Sequence, residues 1–172
     1  VQNSHAPIPA VGRFDGGISQ WLRGDGNGHF QPVPPAQSGL IVPGDAKALV
    51  VLDWNDDGWP DFLATQNNAS SLAFQNAGTP SGRSCRVLLK GPPGNPHAIG
   101  ARVSVERQGS VVQTLELHAG SGHYSQSAPA AFIGYPASQP PTLIRVRWPN
   151  GLSSQHPFPP GSPSLTLAAP SP

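Results

Sequence analysis

Four of the nine acidic side chains in this 172-residue chain fall within one run of nine residues, Asp53-Trp54-Asn55-Asp56-Asp57-Gly58-Trp59-Pro60-Asp61. Oxygen-bearing side chains stand at positions 1, 3, 5 and 9 of that run and a glycine stands at 6. Calcium takes roughly six to eight hard oxygens, and a loop wound round the ion offers alternate side chains while glycine permits the sharp turn. The spacing assigns Asp53, Asn55, Asp57 and Asp61 as side-chain ligands and the backbone carbonyl of Trp59 as a fifth. Asp56, at position 4, is expected to point away. A helix-loop-helix calcium site needs a bidentate Glu at position 12, where this chain has Ala64, and Pro60 opens a strand. The expected site is therefore a calcium loop between two strands. The alternative is a solvated Asp-rich turn whose carboxylates repel one another.

A second constellation gathers His118, Ser121, His123, Tyr124 and Ser125 around Gly120 and Gly122. Hydrolysis by a serine needs a histidine base that is itself oriented by a carboxylate. The G-x-S-x-G elbow is absent, no Asp follows Asp61, and Glu106 and Glu116 are the only acids beyond it. The segment reads as a glycine-bent crossover in which Ser121, Ser125 and Gln126 bond neighbouring backbone, and no catalytic residue is assigned. The competing reading is an enzyme or self-modifying domain with chemistry at residues 118–127. Arg102, Arg145 and Arg147 alternate with apolar residues, as on an exposed sheet face, with a small anion site as the alternative. Arg23-Gly24-Asp25 is the integrin-recognition tripeptide, and it also suits a tight turn. Asn68-Ala69-Ser70 is an N-glycosylation acceptor in an expected surface turn. Trp54 and Trp59 flank the acidic loop, either packed beneath it or stacking a ligand ring. The single cysteine, Cys85, supports neither a disulfide nor a zinc site, has no basic neighbour with His to activate it, and is expected to be dispensable.

The elements that must hold these residues are short. Gly and Pro number 20 and 22, yet apolar residues make up 37% and fall in alternating β-branched runs such as residues 48–52 and 101–105. Nowhere does a 3.6-residue period persist, so the expected class is all-β with almost no helix. Strands are expected at 18–22, 29–31, 48–52, 62–65, 71–74, 86–89, 101–106, 111–117, 131–133, 143–148 and 154–158. Ten basic against nine acidic residues leave no footprint for nucleic acid, and no apolar run reaches the length of a membrane helix. The absence of Met, even at position 1, leads us to expect that the chain derives from a longer parent. A composition shift at 78–82 divides it into a calcium-binding repeat at 11–78 and a β-domain at 83–158, with 1–10 and 159–172 as linker or tail.

The run Val51–Leu63, with the hairpin Gly24–Phe30 before it, resembles FG-GAP (VCBS-type, integrin-like) β-propeller repeats. The second half resembles the ASPIC/UnbV domain of cartilage acidic protein-like secreted proteins. The matching segments are Asn95–Val103, Gly120–Ser127 and Val146–Gly151. It departs from the family at Phe132-Ile133-Gly134-Tyr135, in place of Phe-Gly-Leu-Gly, and in a Pro-rich insert at 136–141. These resemblances imply a propeller-like blade packed on a small β-sandwich or barrel, with bound calcium, in a secreted or cell-surface protein. The expected function is a non-enzymatic binding or adhesion module for a protein or carbohydrate ligand. The third reading is a structural end-cap of a longer propeller.

Overall fold

The alternating apolar residues between 82 and 168 fold into two facing sheets that share one core. The computed structural model describes residues 6–14 and 17–170. One sheet orders β11 (Ala130–Pro136), β8 (Gly82–Lys90) and β14 (Ser164–Ala168). The other orders β10 (Ser110–Glu116), β9 (Arg102–Arg107), β12 (Leu143–Arg147) and β13 (Ser153–Pro157). Period-2 alternation sends Val87, Leu89, Ile133 and Leu167 of the first sheet against Val103, Val105, Ile144 and Val146 of the second, closed by Trp148 and Phe158. Each fully buried Val or Ile contributes about 1.5–3 kcal/mol. The result is an open β-sandwich, not a barrel.

Residues before 78 form smaller units. β1 (Ala6–Ile8) pairs with β2 (Gly12–Phe14), and β3 (Trp21–Gly24) pairs with β4 (Phe30–Val33). One helical turn, α1 (Pro35–Ser38), ends at Gly39, whose φ of 66° is the left-handed conformation glycine adopts freely. An antiparallel meander follows, β5 (Ala46–Leu52), β6 (Asp61–Gln66) and β7 (Ala69–Phe74). Its own core is small: Val42, Ala46 and Ala64, with Leu49, Leu72 and Phe74 packed against them.

The class is all-β, as expected, with α1 the sole helix among the described residues. Three boundaries are corrected. The segment 159–172, expected as tail, contributes β14, which runs parallel to β8 from Ser164 opposite Arg86 to Ala168 opposite Lys90. Residues 1–10, expected as a linker or an edge strand, include β1, while residues 1–5 and 15–16 lie outside the described residues. The strand expected at 18–22 begins at Trp21 and runs on to Gly24.

Candidate functional site

The acidic loop links the end of β5 to the start of β6, and its side chains fold the backbone round themselves. Asp53 accepts the N–H groups of Asp57 on Oδ1 at 3.1 Å and of Gly58 on Oδ2 at 3.0 Å. Asn55 Oδ1 accepts Asp57 N–H at 3.3 Å, and Asp57 Oδ1 accepts Trp59 N–H at 2.8 Å. Asn55 Nδ2 donates to Asp57 Oδ2 at 2.8 Å, which brings positions 3 and 5 together. Asp61, fully buried, accepts Trp54 N–H on Oδ2 and Asn76 N–H on Oδ1. The five proposed donors are thus all hard oxygens on one tightly wound loop. Among the described residues, however, no three His, Cys, Asp or Glu side chains gather closely enough to hold an ion as they stand.

The loop has a cation that its local spacing does not reveal. Arg86, from the middle of β8, places Nη1 3.2 Å from Asp53 Oδ2 and 3.2 Å from the Asp53 carbonyl, and Nη2 2.7 Å from Asp56 Oδ1. Asp56, at φ 59°, has the Arg86 guanidinium as its partner and shares it with Asp53. A carboxylate offers about four lone-pair sites. Asp53 uses three of them here, whereas Asp57 and Asp61 use two each and face no cation among the described residues. Gly58 is required twice. Its φ is 85°, and a Cβ there would lie 2.9 Å from Pro163 Cα, in the connection leading into β14. Trp59 packs beneath the 78–82 connection, where a Cβ on Gly78 would lie 2.8 Å from its ring, while Trp54 stays 40% exposed.

The crossover expected at 120–126 bonds through Ser121, Ser125 and Gln126, on the surface, and with Ser127 and Ala128 it reaches the other half. Ser121 Oγ accepts Ser127 N–H at 2.9 Å, and Gln126 accepts Gly120 N–H and donates to the His118 carbonyl. Ser125 Oγ donates to the Leu49 carbonyl at 3.0 Å, Ser127 Oγ accepts Val51 N–H at 3.0 Å, and Ala128 N–H donates to the Val51 carbonyl at 2.9 Å. These three bonds cover the edge of β5 that β6 leaves open, and a covered edge cannot recruit another chain. His123 packs edge-to-face on Tyr124, which is 94% exposed, and neither Ser121 nor Ser125 bonds a histidine. The serine–histidine contact present lies elsewhere, Ser154 Oγ to His156 Nε2 at 3.0 Å, and Ser154 Oγ also accepts the Trp148 indole N–H.

The remaining candidates are placed by the strands that carry them. Asp25 closes the β3–β4 turn by accepting the N–H groups of Asn27 and His29, and the Asn27 bond above all holds its carboxyl below the usual carboxylate range. Asn68 sits exposed at the tip of the β6–β7 hairpin at φ 56°. Cys85 is fully buried in the sandwich core, where desolvation pushes its thiol up to about 11. The residue expected to be dispensable is thus packed in the shared core. A cavity of about 360 Å3 lies between the β3–β4 hairpin, α1 and the β6–β7 sheet, with Trp21 edge-on to Phe62.

Two of the three segments that carried the second resemblance meet at one end of the sandwich. Asn95 clamps its loop by bonding both N–H and carbonyl of Ile99, Gly100 N–H donates to the Leu117 carbonyl, and the Trp148–Gly151 turn lies alongside. No curated protein matches the chain. Residues 91–171, from the end of β8 through β14, match the family described as ASPIC and UnbV.

Proposed function

We propose that the chain is a calcium-stabilised, non-enzymatic binding or adhesion module acting outside the cell, with an FG-GAP-like loop beside its ASPIC/UnbV domain. One observation carries this reading: among the described residues four carboxylates share the 53–61 loop with a single guanidinium, and Asp57 and Asp61 keep acceptor capacity with no cation opposite them. Asp53, Asn55, Asp57, Asp61 and the Trp59 carbonyl would hold the ion. Bound there, calcium would supply the missing positive charge and tie the end of β5 to the start of β6. Extracellular modules hold calcium with dissociation constants of roughly 10⁻⁴–10⁻³ M, which suits a compartment rich in the ion. Among the described residues no helix is long and apolar enough to cross a membrane.

Calcium at tenfold excess over its dissociation constant is expected to stabilise the fold by about 1.4 kcal/mol. Melting in calcium against chelator measures this, and Asp57→Asn should lose the response while keeping the calcium-free melting temperature. Identical wild-type melting curves in the two buffers would overturn the reading. A second reading, a structural cap on a longer β-propeller, is favoured by the exposed Ile18, Trp21, Phe30 and Ile41 around the β3–β4 hairpin.

A further inference from the structure

The outer face of the sheet β10-β9-β12-β13 carries a row of charges that does not balance. The registers set Glu116 opposite Arg102 and Arg102 opposite Arg147. One step along the same face, Arg145 donates from both Nε and Nη2 to Glu106 Oε1, at 3.0 and 2.8 Å, so that arginine is satisfied. Arg102 is not: its Nη2 lies 3.7 Å from Glu116 Oε2, too far for a hydrogen bond, and His118 Nδ1 lies 3.9 Å from the other oxygen of the same carboxylate. Arg147 has no acceptor among the described residues, and its side chain is exposed.

Like charges directly opposite on neighbouring strands destabilise a sheet. Here the pair borders a cavity of about 220 Å3, walled by Gly100, Trp148, Pro149 and Gly151 and lined also by Glu116, whose single negative charge leaves the two guanidiniums in excess. The Trp148 ring is buried in the core and its N–H is fixed on Ser154, which anchors the end of β12 beside Arg147. Directly paired residues of antiparallel strands stand about 4.5–5.5 Å apart at Cα with both side chains on one face. Two guanidiniums so placed match an anion with oxygens pointing toward both, since a guanidinium fork pairs with two such oxygens at once. A single carboxylate would satisfy Arg147 alone.

We propose that this cavity binds a tetrahedral oxyanion, a sulfate or phosphate group, held between Arg102 and Arg147. The site is built entirely from the ASPIC/UnbV part of the chain, and it stands whether or not the 53–61 loop takes calcium.

The test titrates the full ¹⁵N-labelled chain with sodium sulfate, with glucose 6-sulfate and with glucose, at ionic strength held constant by sodium chloride. Saturable shifts of the Arg102 and Arg147 Nε–H signals are expected with both sulfates and none with glucose. Tighter binding of glucose 6-sulfate places the group on a larger ligand, and equal binding means that the free anion is recognised. Arg147→Gln should weaken binding at least tenfold, by loss of the second fork. In chloride alone it should melt no lower than wild type, because the like-charge contact is gone. Sulfate should raise the melting temperature of wild type and of Arg83→Gln, which lies on the other sheet, but not that of Arg147→Gln. Shifts that fail to saturate, or that persist unchanged in Arg147→Gln, would overturn the proposal.

Discussion

Arg86 shows how far one side chain can decide the character of a site whose other members local spacing defines. Its guanidinium meets an Asp53 carboxylate whose side chain is fully buried, and removing one member of a buried pair leaves the other desolvated and uncompensated. Arg86→Gln is therefore expected to destabilise the chain by about 3–5 kcal/mol, measured by urea unfolding, and a loss below about 1 kcal/mol, the range of an exposed pair, would show that the contact is not made. The carboxylates themselves were legible, because four of them crowd nine residues around a glycine. The arginine was not legible, since it lies 33 residues away from Asp53 in sequence and on a strand where its neighbours Cys85 and Val87 read simply as core. Gly58 was read for its turn, and that reading holds. Its second duty, the close approach of Pro163, depends on a packing between halves that no local pattern encodes.

At the level of elements, strands with clear two-residue alternation were placed well, and those framed by proline were not. β14 is Ser164-Leu165-Thr166-Leu167-Ala168, an alternating run of five residues. It sits between Pro163 and Pro170 in a stretch whose composition reads as tail, and its partner, β8, lies more than seventy residues upstream. A parallel pairing of that span leaves no hairpin signal, because the turn chemistry that announces an antiparallel neighbour is missing. β14 nevertheless fills an edge of the three-stranded sheet and delivers Leu167, 6% exposed, to the common core. Leu167→Ala should cost about 2–5 kcal/mol in chemical denaturation, the cost of a cavity in a packed core. A change within about 0.5 kcal/mol, as for a surface site, would return the segment to the status of a tail. The crossover at 118–128 was legible in its bonds, because Ser and Gln beside paired glycines have few other uses. Its destination, the open edge of β5, was not.

The whole molecule is one sandwich with a dependent partner. The sandwich cluster holds sixteen buried residues, from Cys85 to Leu167, whereas the meander β5-β6-β7 rests on Val42, Ala46 and Ala64. A three-stranded sheet with so little behind it buries too little apolar surface to stand alone. What it lacks is supplied from the other half: Ser125, Ser127 and Ala128 along β5, Arg86 at Asp53 and Asp56, and Pro163 against Gly58. A protease site inserted between Thr79 and Pro80, both exposed, should therefore be cut without separating the pieces in native buffer. After separation in denaturant, the piece from Pro80 onward should refold with a cooperative melt, since it retains both sheets of the sandwich and their shared core. The piece ending at Thr79 should stay unfolded on its own and regain dispersed amide resonances only when its partner is added back. A cooperative thermal transition in that isolated N-terminal piece would show that the meander and hairpins form a domain in their own right, and would break the dependence argued from the two cores.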